Sequence, residues 1–152
     1  MIKVFKLILL LLLSTGCTYE PILIKNNYNY NFVEINSSGN QEINRIIKNK
    51  LLLSTKKKSK TNYKIFFQSE KEKKIISSDK KGDPTIYKII AKLKYNIEQS
   101  DKIILKNEIT KQTTYNNIDD KFELLNKEQN MVKNLSEKFA EDILISITTL
   151  LK

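Results

Sequence analysis

Twelve consecutive residues alternate without a break. Tyr87, Ile89, Ala91, Leu93, Tyr95 and Ile97 interleave with Lys88, Ile90, Lys92, Lys94, Asn96 and Glu98. A period of two puts the first set on one side of an extended strand and the second on the other. One side is apolar and the other mostly polar, so the sheet containing this strand is covered on one face only. Ser100-Asp101 then supplies a turn, and Lys102 to Tyr115 reads as the hairpin partner, with Ile103, Leu105 and Ile109 on its face. The covering layer has to come from elsewhere in the chain.

Two segments carry a helical period. Ile43, Ile46, Ile47 and Leu51 fall on one face of a helix predicted from Asn40 to Leu53, with Ser38 and Gln41 in capping-box spacing. Near the end, Leu125, Val132, Leu135, Phe139, Ile143, Ile147 and Leu150 recur at mostly helical spacing. Asp119 or Asp120 is placed to cap this long helix, with Glu123 in its first turn, and a bend is expected near residues 127–130. Such stripes are core positions packed against a sheet.

Two further strands complete the set. Tyr30 to Asn36 is short, β-branched and aromatic, with Val33 and Ile35 expected on one face. Tyr63 to Ser77 is apolar at both ends around a charged middle, Glu70 to Lys74, and reads as one strand with a loose centre or as two shorter ones. Asp79 to Pro84 is the strongest turn signal in the chain. The order is β-α-β-β-β-α, which predicts an α+β two-layer sandwich: an antiparallel sheet of about four strands with two helices on one face. With 152 residues the chain has room for one such domain, at 30–152.

The first residues stand apart. Lys3 and Lys6 precede an unbroken run from Leu7 to Leu13, then the small residues Ser14, Thr15 and Gly16, then Cys17, the one cysteine. Seven helical residues cover only about 10 Å, a third of a bilayer core, so an export signal over 1–16 is expected and not a membrane span. Ser14-Thr15-Gly16-Cys17 resembles the lipobox of bacterial lipoproteins, with Ser14 where Leu is usual and Leu13 one step further out. That resemblance implies cleavage before Cys17, a diacylglyceryl thioether on its sulfur and acylation, palmitate included, of its new amino group. Residues 17–29, polar and Asn-rich, then form a lipidated tether. Thr18, in place of an Asp, leans towards the outer membrane.

The composition excludes much chemistry. There is no His, which removes imidazole bases, Ser–His triads and His-ligated metals, and a single Cys allows neither an internal disulfide nor a Cys-based zinc site. No phosphate-binding glycine loop and no nucleophile elbow occur. Carboxylate pairs exist at Asp119/Asp120 and Glu141/Asp142, but a cap and a polar helix face account for them. Asp79 and Asp83 lack calcium-loop spacing. No catalytic, metal or cofactor site is therefore expected, and an enzyme is not. The formal net charge is +10, carried almost entirely by Lys, with Arg45 the single Arg. Base readers and bidentate phosphate readers lean on Arg, so specific nucleic-acid reading is disfavoured and nucleic acid is not an expected partner, while diffuse attraction to an anionic surface remains open. The loop cluster Lys56, Lys57, Lys58 and Lys60 is the candidate contact for anionic lipid or lipopolysaccharide.

Taken in order, the lipobox cysteine, the aromatic and proline that follow it (Tyr19 and Pro21, then Ile22), the β-α-β-β-β-α domain and the helix carrying Leu135, Ala140-Glu141-Asp142-Ile143 and Ile147 resemble the LPS-assembly lipoprotein family, LptE, in its short alphaproteobacterial form. Family members often begin Cys-Gly-aromatic-x-Pro-Leu-Tyr; here Thr18 replaces the Gly and Leu23 the final Tyr. The resemblance implies a non-enzymatic outer-membrane lipoprotein that sits in the barrel of an LptD-like translocon and helps deliver lipopolysaccharide. An auxiliary lipoprotein of a lipid-transport ABC system is the alternative.

Overall fold

A computed structural model describes residues 30–55, 59 and 61–150. The signal segment, Cys17, the tether and the Lys56, Lys57, Lys58 and Lys60 cluster lie outside the described residues. Six elements follow the predicted order: β1 (Tyr30–Gly39), α1 (Gln41–Leu53), β2 (Thr61–Ser78), β3 (Pro84–Gln99), β4 (Lys102–Asn116) and α2 (Lys121–Leu150). The strands form one sheet in the order β1-β2-β3-β4.

β3 behaves as its alternation requires. Ile89, Ala91, Leu93, Tyr95 and Ile97 are all buried, and the intervening side chains face the other way. The β3–β4 turn uses Ser100 and Asp101 at φ 50° and 59°. Two successive left-handed residues match the twist of a two-residue hairpin. β2 and β3 pair antiparallel, as do β3 and β4, but β1 and β2 are parallel. The sheet is thus mixed where an antiparallel one was expected. The cause is α1: a helix between two neighbouring strands reverses the chain twice, and the strands then run the same way.

Bulges account for other differences. In β1, Phe32 pairs with Tyr63 and Glu34 with Lys64, so Val33 is an extra residue. The inward phase switches across it. Tyr30 and Phe32 are buried and Ile35 partly so, while Val33 is exposed and does not share a face with Ile35 as predicted. In β4 the irregularity between Ile97 and Glu98 leaves Ile104 unpaired and sends Ile103 outward. β2 is a single strand whose pairing with β3 is irregular between Ile75 and Ser77 and again between Ser77 and Ser78, not in the charged middle. That middle stays extended because its inward lysines find acids on the helices: Lys71 lies 2.9 Å from Glu42, and Lys73 pairs with Glu128.

Both helices cover the same face. Asn40 caps α1, its Oδ1 accepting from the Ile43 N–H at 3.1 Å; Ser38, the expected cap, still belongs to β1. The buried Asn44 amide donates to the Ser38 carbonyl at 3.0 Å, and its oxygen accepts from the Ser69 hydroxyl at 2.6 Å, tying α1 to both strands beneath it. Asp120 is the cap of α2, accepting from Phe122 N at 2.9 Å and Glu123 N at 3.0 Å. α2 runs on as one element of 30 residues, about 45 Å, with no break at 127–130. Leu124 takes the inward place expected of Leu125, which is exposed, as is Leu150. Ile43, Ile47 and Leu51 from α1 and Phe139, Ile143 and Ile147 from α2 close the core over Tyr63, Ile65, Leu93 and Ile97.

Candidate functional site

The helices leave the second face of the sheet uncovered, and strand register decides what stands there. Asn36, Phe66, Asn96 and Lys106 are successive partners across β1, β2, β3 and β4. At roughly 4.8 Å per strand this row is about 14 Å wide. Ser38, Gln68, Lys94 and Glu108 form the next row, and Glu34, Lys64, Glu98 and Ile103 the row before. A shallow concavity of ≈ 430 Å³ lies over the first two rows, with half-buried Phe66 in its floor and Lys94 and Lys106 on one side.

Charges of both signs are interspersed here. Lys94 lies 3.6 Å from Glu108, and Lys64 bonds Asp101 of the β3–β4 turn at 2.8 Å. That hydrogen bond raises the Lys64 pKa and lowers that of Asp101, so each holds the other charged. Both side chains are exposed to water, which limits what the pair contributes to stability. The signal for this surface was present in the sequence as the polar phase of β3. Which of its lysines share a row, and that Phe66 joins them, depends on register and was not legible.

On the covered face a second cluster links four elements. The Lys73 ammonium sits 4.1 Å from the Tyr87 ring centroid, and Tyr87 stacks on Tyr115 at 5.5 Å and 27°. Tyr115 donates to Glu128 Oε1 at 2.6 Å, and the same oxygen accepts from Lys73. Burial, then the bond to Glu128 and its charge, pushes the Tyr115 phenol upward, so it stays a neutral donor. Burial alone would also push the Glu128 carboxyl up. The bonds from Lys73 and Tyr115 outweigh that, and the net displacement is below its ordinary 4.5. A carboxylate lowered by folding stabilises the native state above its unfolded value and loses that contribution as pH falls through the folded one. We expect stability to decline from about pH 4.5 downward and Glu128→Gln to flatten that acid limb in denaturant titrations. An unaltered acid slope in the variant would show that the cluster is not linked to folding.

Of the acids singled out in the sequence, Asp79, Asp120 and Asp142 have local partners. Asp79 Oδ1 accepts from the Lys81 and Asp83 N–H groups and shapes the β2–β3 turn. Asp120 caps α2, and Asp142 pairs with Lys111 of β4 at 2.7 Å. Asp119 is exposed and Glu141 half-buried. Among the described residues no three His, Cys, Asp or Glu side chains gather where they could hold a metal. No helix among them is long and apolar enough to cross a membrane.

No protein-family model matches the sequence, and no curated protein is similar to it. Solved structures are. The rare lipoprotein B of Shewanella oneidensis superimposes with a TM-score of 0.56 at 17% identity, over 77% of this chain and 95% of that one. A lipoprotein B of Nitrosomonas europaea gives 0.59 at 13% identity, over 84% and 90%. A minor lipoprotein of Acinetobacter baumannii gives 0.54 at 10%, over 76% and 90%. At these identities the likeness is one of fold.

Proposed function

We propose that the chain is a lipid-anchored, non-catalytic outer-membrane subunit that partners an LptD-like β-barrel in the assembly of lipopolysaccharide. The observation that carries this reading is a conjunction. Lipoproteins of three other bacteria have a similar fold, and in this sequence that fold follows a lipobox-like Ser14-Thr15-Gly16-Cys17. The surface suits the role. A sheet face bearing Lys64, Lys94, Lys106, Glu34, Glu98 and Glu108 complements a polar, water-lined lumen better than it does lipid or an apolar groove. Several acyl chains on Cys17 hold such a body at the membrane far more firmly than one. Lys56, Lys57, Lys58 and Lys60 then meet anionic lipid or lipopolysaccharide phosphates.

The test is affinity purification of the native protein from detergent-solubilised outer membranes. A large β-barrel is expected to come with it, and barrel abundance is expected to fall when this chain is depleted. Recovery of the chain alone, with barrel levels unchanged on depletion, overturns the proposal.

A further inference from the structure

We infer that the end of the domain where β1 begins is seated in the lipid interface, with Val33, Leu52, Leu53, Ile103 and Leu150 as its apolar contacts. This rests on the lipid-anchor reading but not on the barrel. Five exposed aliphatic side chains converge on this end from different elements. Tyr30 pairs with Thr61, so β1 and β2 start side by side, and Val33 is the residue that the β1 bulge turns out beside them. Leu52 and Leu53 close α1 just before the loop into β2. Ile103 opposes Glu98 beside the β3–β4 turn, and that turn is held to β2 by Lys64 and Asp101. α2 returns antiparallel to β4: Glu128 meets Tyr115, Asp142 meets Lys111, and Ser146 meets Tyr95 at 3.0 Å. One more turn brings Leu150 to the same end.

These side chains are not incidental surface residues. Leu53 is 85% exposed, and the other four lie between 45% and 58%. Ile75, Ile76, Phe122 and Leu125 are similarly exposed at the opposite end, so exposure marks both ends as able to make contacts and the tether decides between them. What covers the β1 end follows from where the chain enters. Thirteen residues, Cys17 to Asn29, precede Tyr30, and even fully extended they reach no more than about 45 Å. The end that carries Tyr30 is therefore the end tethered closest to the acylated cysteine. Lys50, in the last turn of α1, and Lys102, beside Ile103, are placed to reach anionic headgroups as the aliphatic chains enter the boundary. The opposite end, with the Asp79–Asp83 turn, lies a β3 length away, about 50 Å for 16 residues.

The chain contains no Trp, so single tryptophans report position without background. Full-length acylated Leu53→Trp and Lys81→Trp variants, reconstituted in phosphatidylethanolamine–phosphatidylglycerol vesicles, are compared with and without brominated acyl chains. We expect brominated lipid to quench the Leu53→Trp fluorophore by about twofold or more, with a blue-shifted maximum, and to leave Lys81→Trp unaffected. Equal, weak quenching at both positions describes a tethered domain that does not sit on the bilayer and overturns the inference. Stronger quenching of Lys81→Trp overturns it too. So does a Leu53→Trp fluorophore shielded from an aqueous quencher only in native membranes, since a protein then covers this end. Failure here with barrel co-purification intact discards the seated end alone. Quenching as expected without a co-purifying barrel discards the translocon reading alone.

Discussion

Gly39→Ala is expected to destabilise the domain by about 3 kcal/mol or more, lowering its thermal midpoint by roughly 10 °C. Gly39 ends β1 at φ +90°, a conformation that L side chains rarely adopt. A Cβ there would stand 2.0 Å from the Ser69 carbonyl oxygen and 3.0 Å from its carbon. That neighbour is backbone in the adjacent strand, and its oxygen already accepts from the Asn40 N–H at 3.0 Å. Relief by moving the corner outward breaks this bond and draws Asn40 away from its role as cap of α1. Gly82 supplies the control, because it also has φ +90° but a Cβ there meets nothing within 4 Å. Gly82→Ala is expected to cost about 1 kcal/mol, the backbone strain alone. Thermal or urea unfolding of the two variants separates strain from collision; equal losses would remove the collision from the account.

Phe139→Ala is expected to cost about 3–5 kcal/mol, a large share of the roughly 5–15 kcal/mol that holds a domain of this size together. Phe139 is fully buried near the middle of α2, with the Lys111 ammonium 5.9 Å from its ring centroid. Ile143 and Ile147 continue the same stripe, so truncation opens a cavity under the helix that covers β3 and β4. Phe122, in the first turn of the same helix, is 74% exposed, and its replacement by alanine is expected to stay within about 0.5 kcal/mol. Denaturant midpoints at constant slope test the pair. Similar shifts for Phe139→Ala and Phe122→Ala would mean that α2 is not held by its buried stripe.

Much of this architecture was legible because the one extra residue of β3, Thr85, precedes its six inward positions, which keep one phase from Tyr87 to Ile97. β1 and β4 were misread at Val33 and Ile103 because a bulge adds one residue, and the pattern beyond it changes face with no mark in the composition. The parallel pairing of β1 and β2 was implicit in the strand–helix–strand order, but one-sided alternation in the neighbouring hairpin suggested an all-antiparallel sheet. Ser38 has the spacing of a cap, but pairing with Gln68 keeps it in β1 and hands the role to Asn40. The uncovered-face site was legible only as a polar phase, since a row such as Asn36, Phe66, Asn96 and Lys106 gathers one residue from each of four strands. The basic loop singled out as a contact, Lys56 to Lys60, falls mostly outside the described residues, and the geometry of the site rests on strand lysines instead.

Among the described residues the strand order leaves β1 and β4 with open borders, each a template onto which a stray chain can add. β1 is short and is skewed by its extra residue. β4 carries Lys102, Lys106 and Lys111 along 15 residues, so a second copy stacked in register would bring ammonium against ammonium. The lysines along β4 and the bulge in β1 therefore disfavour edge-to-edge growth.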